Sequence, residues 1–235
     1  MLPVAALCLA STMSGLLPAI GSAKTSRVQA TQELVVLLSA HTAHRTPAAG
    51  APSVAHVPAT TPITGERTTL PVLARSIGPG GALWLQVMLP GRPKGLRGWI
   101  SEEGTSPLVT PWRIIVDLAA RHVRVYENGR LVRNFEAVVG KPSTPTPTGE
   151  FFVQEVLQIT PAHPGGPYAL ALSARSSVLQ EFEGGPGQIA IHGRDKLGGT
   201  LGKAESHGCI RVATASIDWL VARVGAGTPV TIDRS

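Results

Sequence analysis

The sequence predicts a mainly β protein with one or two short helices, on three observations. The 235 residues include 20 prolines and 26 glycines but only 15% charged residues, a composition that favours turns and strand ends over long surface helices. Apolar residues recur in short alternating runs, the pattern of half-buried strands. Asn128-Gly129 separates two of those runs, and this dipeptide supplies the positive φ that a two-residue hairpin turn requires. With 43% hydrophobic residues the chain can bury a sizeable core, in one large domain or two small ones.

Taken in order, Leu2 to Ile20 carries no charge and is rich in Leu, Ala and Val, and Gly21-Ser22-Ala23 places small residues before Lys24. Residues 1–23 therefore read as a secretory signal peptide cleaved after Ala23. Pro3 and Pro18 count against a long membrane span. The expected location is the periplasm or cell wall, with membrane association as the alternative. Cys8 leaves with the signal, so Cys209 is expected to be the one cysteine of an exported chain. Thiols outside the cell usually pair, and a lone one requires a reason.

Residues 24–30 are a polar linker, and a first domain is expected over 31–105. Leu34 to Ser39 reads as a buried strand, and Thr42 to Arg67, dense in Pro, Ala, Thr and Gly, as long loops between short strands. Thr69 to Ala74 and Leu83 to Leu89 read as strands separated by Gly78-Pro79-Gly80-Gly81, and Gly98-Trp99-Ile100 as another. Short strands with glycine turns suggest a small barrel. Ser101 to Pro111 reads as a junction, and a second domain is expected over 111–235.

In that second half the alternation is clean: Trp112 to Leu118, Val123 to Tyr126, the Asn-Gly turn, then Leu131 to Val139. Gly140 to Gly149, with Pro142, Pro145 and Pro147, predicts a loop, and Phe151-Phe152-Val153 restarts a strand. Gln158 to Gly187 predicts a long, glycine-hinged loop over a site, interrupted by the short apolar stretch Tyr168 to Ser173. Ile217, Leu220, Val221 and Val224 follow helical spacing, with Thr214 or Ser216 as cap and Gly225 as stop. Pro229 to Ile232 closes the chain as a strand.

The net charge is +6, scattered with no run of five basic residues. A dedicated nucleic-acid surface is poorly supported, whereas attraction to a carboxylate-rich polyanion follows from the same field.

The chemistry concentrates in Ser206-His207-Gly208-Cys209-Ile210-Arg211 and, upstream, Ile189-Ala190-Ile191-His192-Gly193. In an extended chain alternate residues share a face, so His207, Cys209 and Arg211 are expected to point into one cavity. Gly208 permits close approach to the backbone N–H groups of Gly208 and Cys209, a candidate oxyanion site. Imidazole and guanidinium beside a thiol favour the nucleophilic thiolate. His192 and His207 can each take the thiol proton, and the sequence leaves both open. Two His and one Cys could also hold zinc, but no further Cys and no His-Glu-x-x-His supports a metal, so neither metal nor cofactor is expected. A papain-like peptidase would place its Cys far ahead of its His, the reverse of the order here.

His192-Gly193, the intervening segment, and His207-Gly208-Cys209-Ile210-Arg211 resemble the signature of L,D-transpeptidases, the YkuD-type catalytic domain. The likeness runs from about Arg113 to Asp233 and takes in Thr146-Pro147-Thr148-Gly149-Glu150-Phe151, Gly166-Pro167-Tyr168 and Gly227-Thr228-Pro229-Val230. Trp84 to Gly95, then Gly98-Trp99-Ile100, resemble the end of a bacterial SH3-like domain, in which the tryptophans are expected to fill the barrel. The resemblance implies an L,D-transpeptidase-type β-sandwich or barrel preceded by a small SH3-like barrel. It implies Cys209 as nucleophile, His192 as proton acceptor and donor, Gly193 orienting His192, and His207 with Gly208 on the oxyanion side. Arg211, Ser206 and Tyr168 are implied on the substrate side, Arg211 either holding a carboxylate or bracing its loop. The implied partners are peptidoglycan stem peptides, with carbapenem β-lactams as inhibitors, acting on a monomer. The implied reaction is cross-linking by attack on a tetrapeptide stem; water as acceptor would make it an L,D-carboxypeptidase, and an inactive domain a wall-binding protein.

Overall fold

The computed structural model describes residues 28–160, 163–181 and 185–234. The expected signal peptide lies outside them. Seven strands form the first sheet: β1 Gln32–Leu37, β2 His41–His44, β3 Ser53–Val57, β4 Thr69–Ile77, β5 Leu83–Met88, β6 Arg97–Ser101 and β7 Thr105–Thr110. Their order is β3-β2-β6-β5-β4-β1-β7. Inward residues at alternate positions, among them Val35, Leu37, Leu70, Val72, Leu85, Val87 and Ile100, make its core. Trp84 is buried and meets His44 edge-on at 5.7 Å, but it lies on the face of β5 opposite the inward Leu85 and Val87, so, contrary to expectation, it does not fill the core.

One expectation fails here. The junction read over 101–111 contains β7, which pairs with β1 from Leu37↔Thr105 to Gln32↔Thr110 and forms an edge of the sheet. Pro107 lies within this strand, and an edge strand tolerates proline because one row of its N–H groups has no ladder partner to lose.

The second sheet draws on β8 Trp112–Asp117, β9 His122–Glu127, β10 Arg130–Glu136, β12 Gly149–Gln158, β13 Tyr168–Arg175, β14 Gln188–Gly193, β16 Ile210–Val212 and β17 Pro229–Asp233. The chain also forms β11 Val139–Gly140, β15 Ala204–Ser206 and one helix, α1 Thr214–Val221. The order of the large sheet is β10-β9-β8-β17-β12-β13-β14-β16, with β11 and β15 paired separately. The mainly β class holds. Asn128 and Gly129 both adopt positive φ, 50° and 75°, and turn β9 into β10 as predicted.

The region 160–187, expected to be one long loop, is divided by β13, whose Ala169 to Ala174 are all buried between β12 and β14. A strand covered on both faces shows no polar alternation, and the prolines and glycines on either side hid it. What remains are two connections, 159–167 and 176–187. The helix starts one turn before its apolar pattern. Its N-cap is Ala213 with no side-chain bond, and the expected cap Thr214 instead donates to Asp195. Ile217 and Leu220 seat it on the core of Ile114, Val116, Phe151, Leu170, Leu172, Ile191 and Ile210.

β12 is shared by the two cores. Successive side chains of a strand face opposite ways, so Phe151 enters the second core while Phe152 is buried in the first. Glu155, 1% exposed, accepts the backbone N–H groups of Ile63 and Thr64 at 3.1 and 2.9 Å and ties the 60–67 segment to the same strand.

Candidate active site

β14 and β16 lie side by side in parallel, with Ile191 opposite Ile210 and His192 opposite Arg211. Ile189, Ile191, Ile210 and Val212 point into the core. By alternation His192 and Arg211 project from the other face, and Cys209, immediately before β16, extends that outward series. The histidine and cysteine, separate in sequence, thus share one face of adjacent strands, two residues apart in register. Cys209 is half-buried, and its Sγ lies 4.0 Å from the carbonyl oxygen of Gln188 at the start of β14.

His192 is 9% exposed, and its Nδ1–H donates to its neighbour's carbonyl, Gly193 O, at 2.7 Å. A neutral ring fixed in this way keeps Nε2 as its basic nitrogen. Burial holds the imidazole below its ordinary 6.5; the Gly193 bond opposes the shift, and the positive charges of Arg211 and His163 add to it. The ring is therefore neutral at pH 7. Gly193 N–H donates to Gly165 O at 3.2 Å, and a Cβ on Gly165 would stand 2.9 Å from His192 Nδ1, so Gly165 packs directly on the histidine.

The 206–209 turn is built from inside. Ser206 is fully buried; its hydroxyl donates to Cys209 O at 2.6 Å and accepts Gly208 N–H at 3.1 Å. Ser206 was expected on the substrate side, and the structure makes it the staple of the turn instead. The Gly208 amide expected at the oxyanion is thereby engaged. Gly208 has φ +122°, where a side chain is strained, so the alternation expected from His207 to Arg211 is broken at this residue. His207 is exposed, with Nε2 3.3 Å from Lys141 Nζ. Arg211 Nη1 donates to Leu197 O and Gly198 O at 3.2 and 3.4 Å, which fits the bracing role of the two expected of it. Tyr168 is a further correction. Ala169 pairs with His192, so Tyr168 turns to the opposite, core-packed side with Leu170.

Two contributors were given no role by the sequence reading, although Thr146 opens one of the segments that carry the resemblance. Thr146 Oγ1 accepts Gly140 N–H at 2.9 Å and donates to Gly208 O at 2.8 Å, fixing the turn from the 140–149 loop. Lys141 reaches His207 only because Lys141 N–H bonds Ser206 O at 3.0 Å. A cavity of about 410 Å³ beside this loop is lined by Gly140, Thr146, Ala204, Arg121 and Arg234 but by neither Cys209 nor His192. Among the described residues no group of three or more His, Cys, Asp or Glu is placed to hold a metal.

A half-buried thiol and an oriented neutral imidazole, on one face of adjacent strands, define a cysteine–histidine site. Residues 111–232 match the L,D-transpeptidase catalytic domain, YkuD. The YkuD protein of Bacillus licheniformis is 36% identical over 155 residues, covering 63% of this chain and 85% of that protein. That of Bacillus subtilis is 32% identical over 148 residues, covering 63% of this chain and 74% of that protein. Among solved structures the Ldtfm-avibactam carbamoyl enzyme is 26% identical with a TM-score of 0.42, over 53% of this chain and 49% of that one. The chain belongs to the L,D-transpeptidase YkuD family.

Proposed function

We propose that the protein is a peptidoglycan L,D-transpeptidase that works through a Cys209 thioester. The observation that carries this reading is the pairing of β14 with β16, which puts His192 and Cys209 on one face of adjacent strands, with His192 Nδ1 fixed and Nε2 basic. His192 Nε2 takes the thiol proton as Sγ attacks the carbonyl of the L-centre in the diamino acid of a tetrapeptide stem. The tetrahedral intermediate collapses to the thioester and expels the D-alanine amine, which carries away the proton from His192. An amine of a second stem, deprotonated by His192, attacks the thioester, forms the cross-link and returns the thiol. His207 lies on the oxyanion side, and Arg211 braces the segment that follows His192 through the carbonyls of Leu197 and Gly198.

A strained β-lactam carbonyl is an acyl donor for the same thiolate, so a carbapenem is expected to acylate Cys209. In the same reading the first sheet is an SH3-like module, residues 1–23 are a signal peptide, and the chain acts outside the cytoplasm as a monomer. Incubation with purified disaccharide-tetrapeptide, read by mass, tests the activity. Loss of D-alanine with formation of a cross-linked dimer supports transfer, tripeptide alone means that water is the acceptor, and unchanged substrate sinks the reading.

A further inference from the structure

Residues 89–96, the loop between β5 and β6, belong to the first sheet, yet their polar atoms bond the second on either side of the Cys209 turn. The loop is closed by Leu89 N–H on Leu96 O at 2.9 Å and anchored to β13 by Gly91 N–H on Ser173 O at 3.2 Å. Arg92 spreads its guanidinium over three carbonyls: Nη1 donates to Pro186 O at 3.0 Å, and Nη2 to Ser176 O at 2.8 Å and Leu179 O at 3.2 Å. Lys94 Nζ donates to Thr148 O at 3.0 Å.

Both contacts lead to the thiol within a few residues. Ser176 N–H bonds Gly187 O at 2.8 Å and its hydroxyl accepts Val178 N–H and Leu179 N–H, so Arg92 grips the closed neck of the 176–187 connection. The next residue is Gln188, whose carbonyl faces Cys209 Sγ, and β14 continues from there to His192. On the other flank, Thr148 lies two residues after Thr146, the residue that holds Gly208 O.

We infer that Arg92 and Lys94 are positioning residues for the active site, through which the first domain sets the register of the backbone on either side of Cys209. The inference rests on the transpeptidase reading for its activity readout. Its physical basis is that a planar guanidinium can satisfy several converging carbonyls at once, which a lysine ammonium in the same place does less completely. Both side chains are exposed at the surface, so their bonds add little to global stability. What they fix is local geometry, to which acyl transfer is sensitive on the scale of an ångström.

The test uses the full chain as wild type, Arg92→Met, Arg92→Lys, Lys94→Met, the Arg92→Met/Lys94→Met double variant and Arg97→Met, an exposed arginine on β6. Three quantities are read: the rate of Cys209 acylation by a carbapenem with the adduct located by peptide mapping, the pH midpoint of Cys209 alkylation by iodoacetamide, and the thermal midpoint. Acylation should slow about tenfold in Arg92→Met, the scale of lost supporting contacts, less in Lys94→Met and most in the double variant. Arg92→Lys should recover part of the rate, and Arg97→Met should match wild type. A carbonyl that accepts from S–H favours the neutral thiol. Displacing Gln188 O should therefore lower the alkylation midpoint, while the thermal midpoint stays within a few degrees. Acylation within twofold of wild type in the double variant with an unmoved alkylation midpoint would overturn the inference, and so would an equal loss in Arg97→Met. Absence of any adduct on wild-type Cys209 would reject the transpeptidase reading instead, and the alkylation midpoint would still decide for or against positioning by Arg92.

Discussion

His192 decides the pH behaviour. Its folded value lies below 6.5 because burial first, then Arg211 and His163, disfavour the charged ring against the Gly193 bond. The native protein therefore binds fewer protons than the unfolded chain as pH falls through 6.5, so stability is complete above that pH and declines below it. The acidic limb of kcat/KM should accordingly lie below 6.5, and Arg211→Met should move it upward. A limb at or above 6.5 in the wild type would contradict the buried neutral base. Ser206→Ala removes two bonds from a fully buried turn and should cost about 1–3 kcal/mol in urea unfolding. The His–Gly and His–Gly–Cys–Ile–Arg segments were legible because their chemistry lies in adjacent residues. The inward turn of Ser206 and the core-side orientation of Tyr168 were not, since both depend on strand register.

At the scale of elements, two glycines pack closely on the strands of the site. Gly208 sits at φ +122° with room for a Cβ only 3.1 Å from Ile189 Cδ1, and Gly165 at φ +89° against His192. Gly208→Ala should cost about 1–3 kcal/mol in backbone strain and slow acylation of Cys209. Gly165→Ala should disturb His192, with a shifted pH profile as its signature; wild-type profiles in that variant would refute the packing of Gly165 on the ring. The hairpin at Asn128-Gly129 was readable because its turn chemistry is local. β13 and β7 were missed for opposite reasons. One is buried on both faces and loses its alternation, and the other is an edge strand that carries a proline.

For the whole molecule, β12 joins two cores through consecutive phenylalanines. Phe152→Ala should cost about 3–5 kcal/mol, although Phe152 lies on a strand of the second sheet and packs into the first. A fragment of residues 111–235 should keep its own core yet unfold at lower temperature than the full chain, because Phe152 and Glu155 lose their cover. Equal stability would show that the interface contributes nothing. The sharing of β12 by two cores was not legible in the sequence, because either phenylalanine reads as ordinary core.

The claim on which the rest depends is that the Cys209 sulfur carries the acyl group, and the direct measurement is intact mass with peptide mapping after mixing the protein with disaccharide-tetrapeptide. The wild type should show a transient adduct on the peptide containing Cys209 and release D-alanine, while Cys209→Ala, folded by circular dichroism, shows neither. D-alanine release by Cys209→Ala at the wild-type rate would contradict the account.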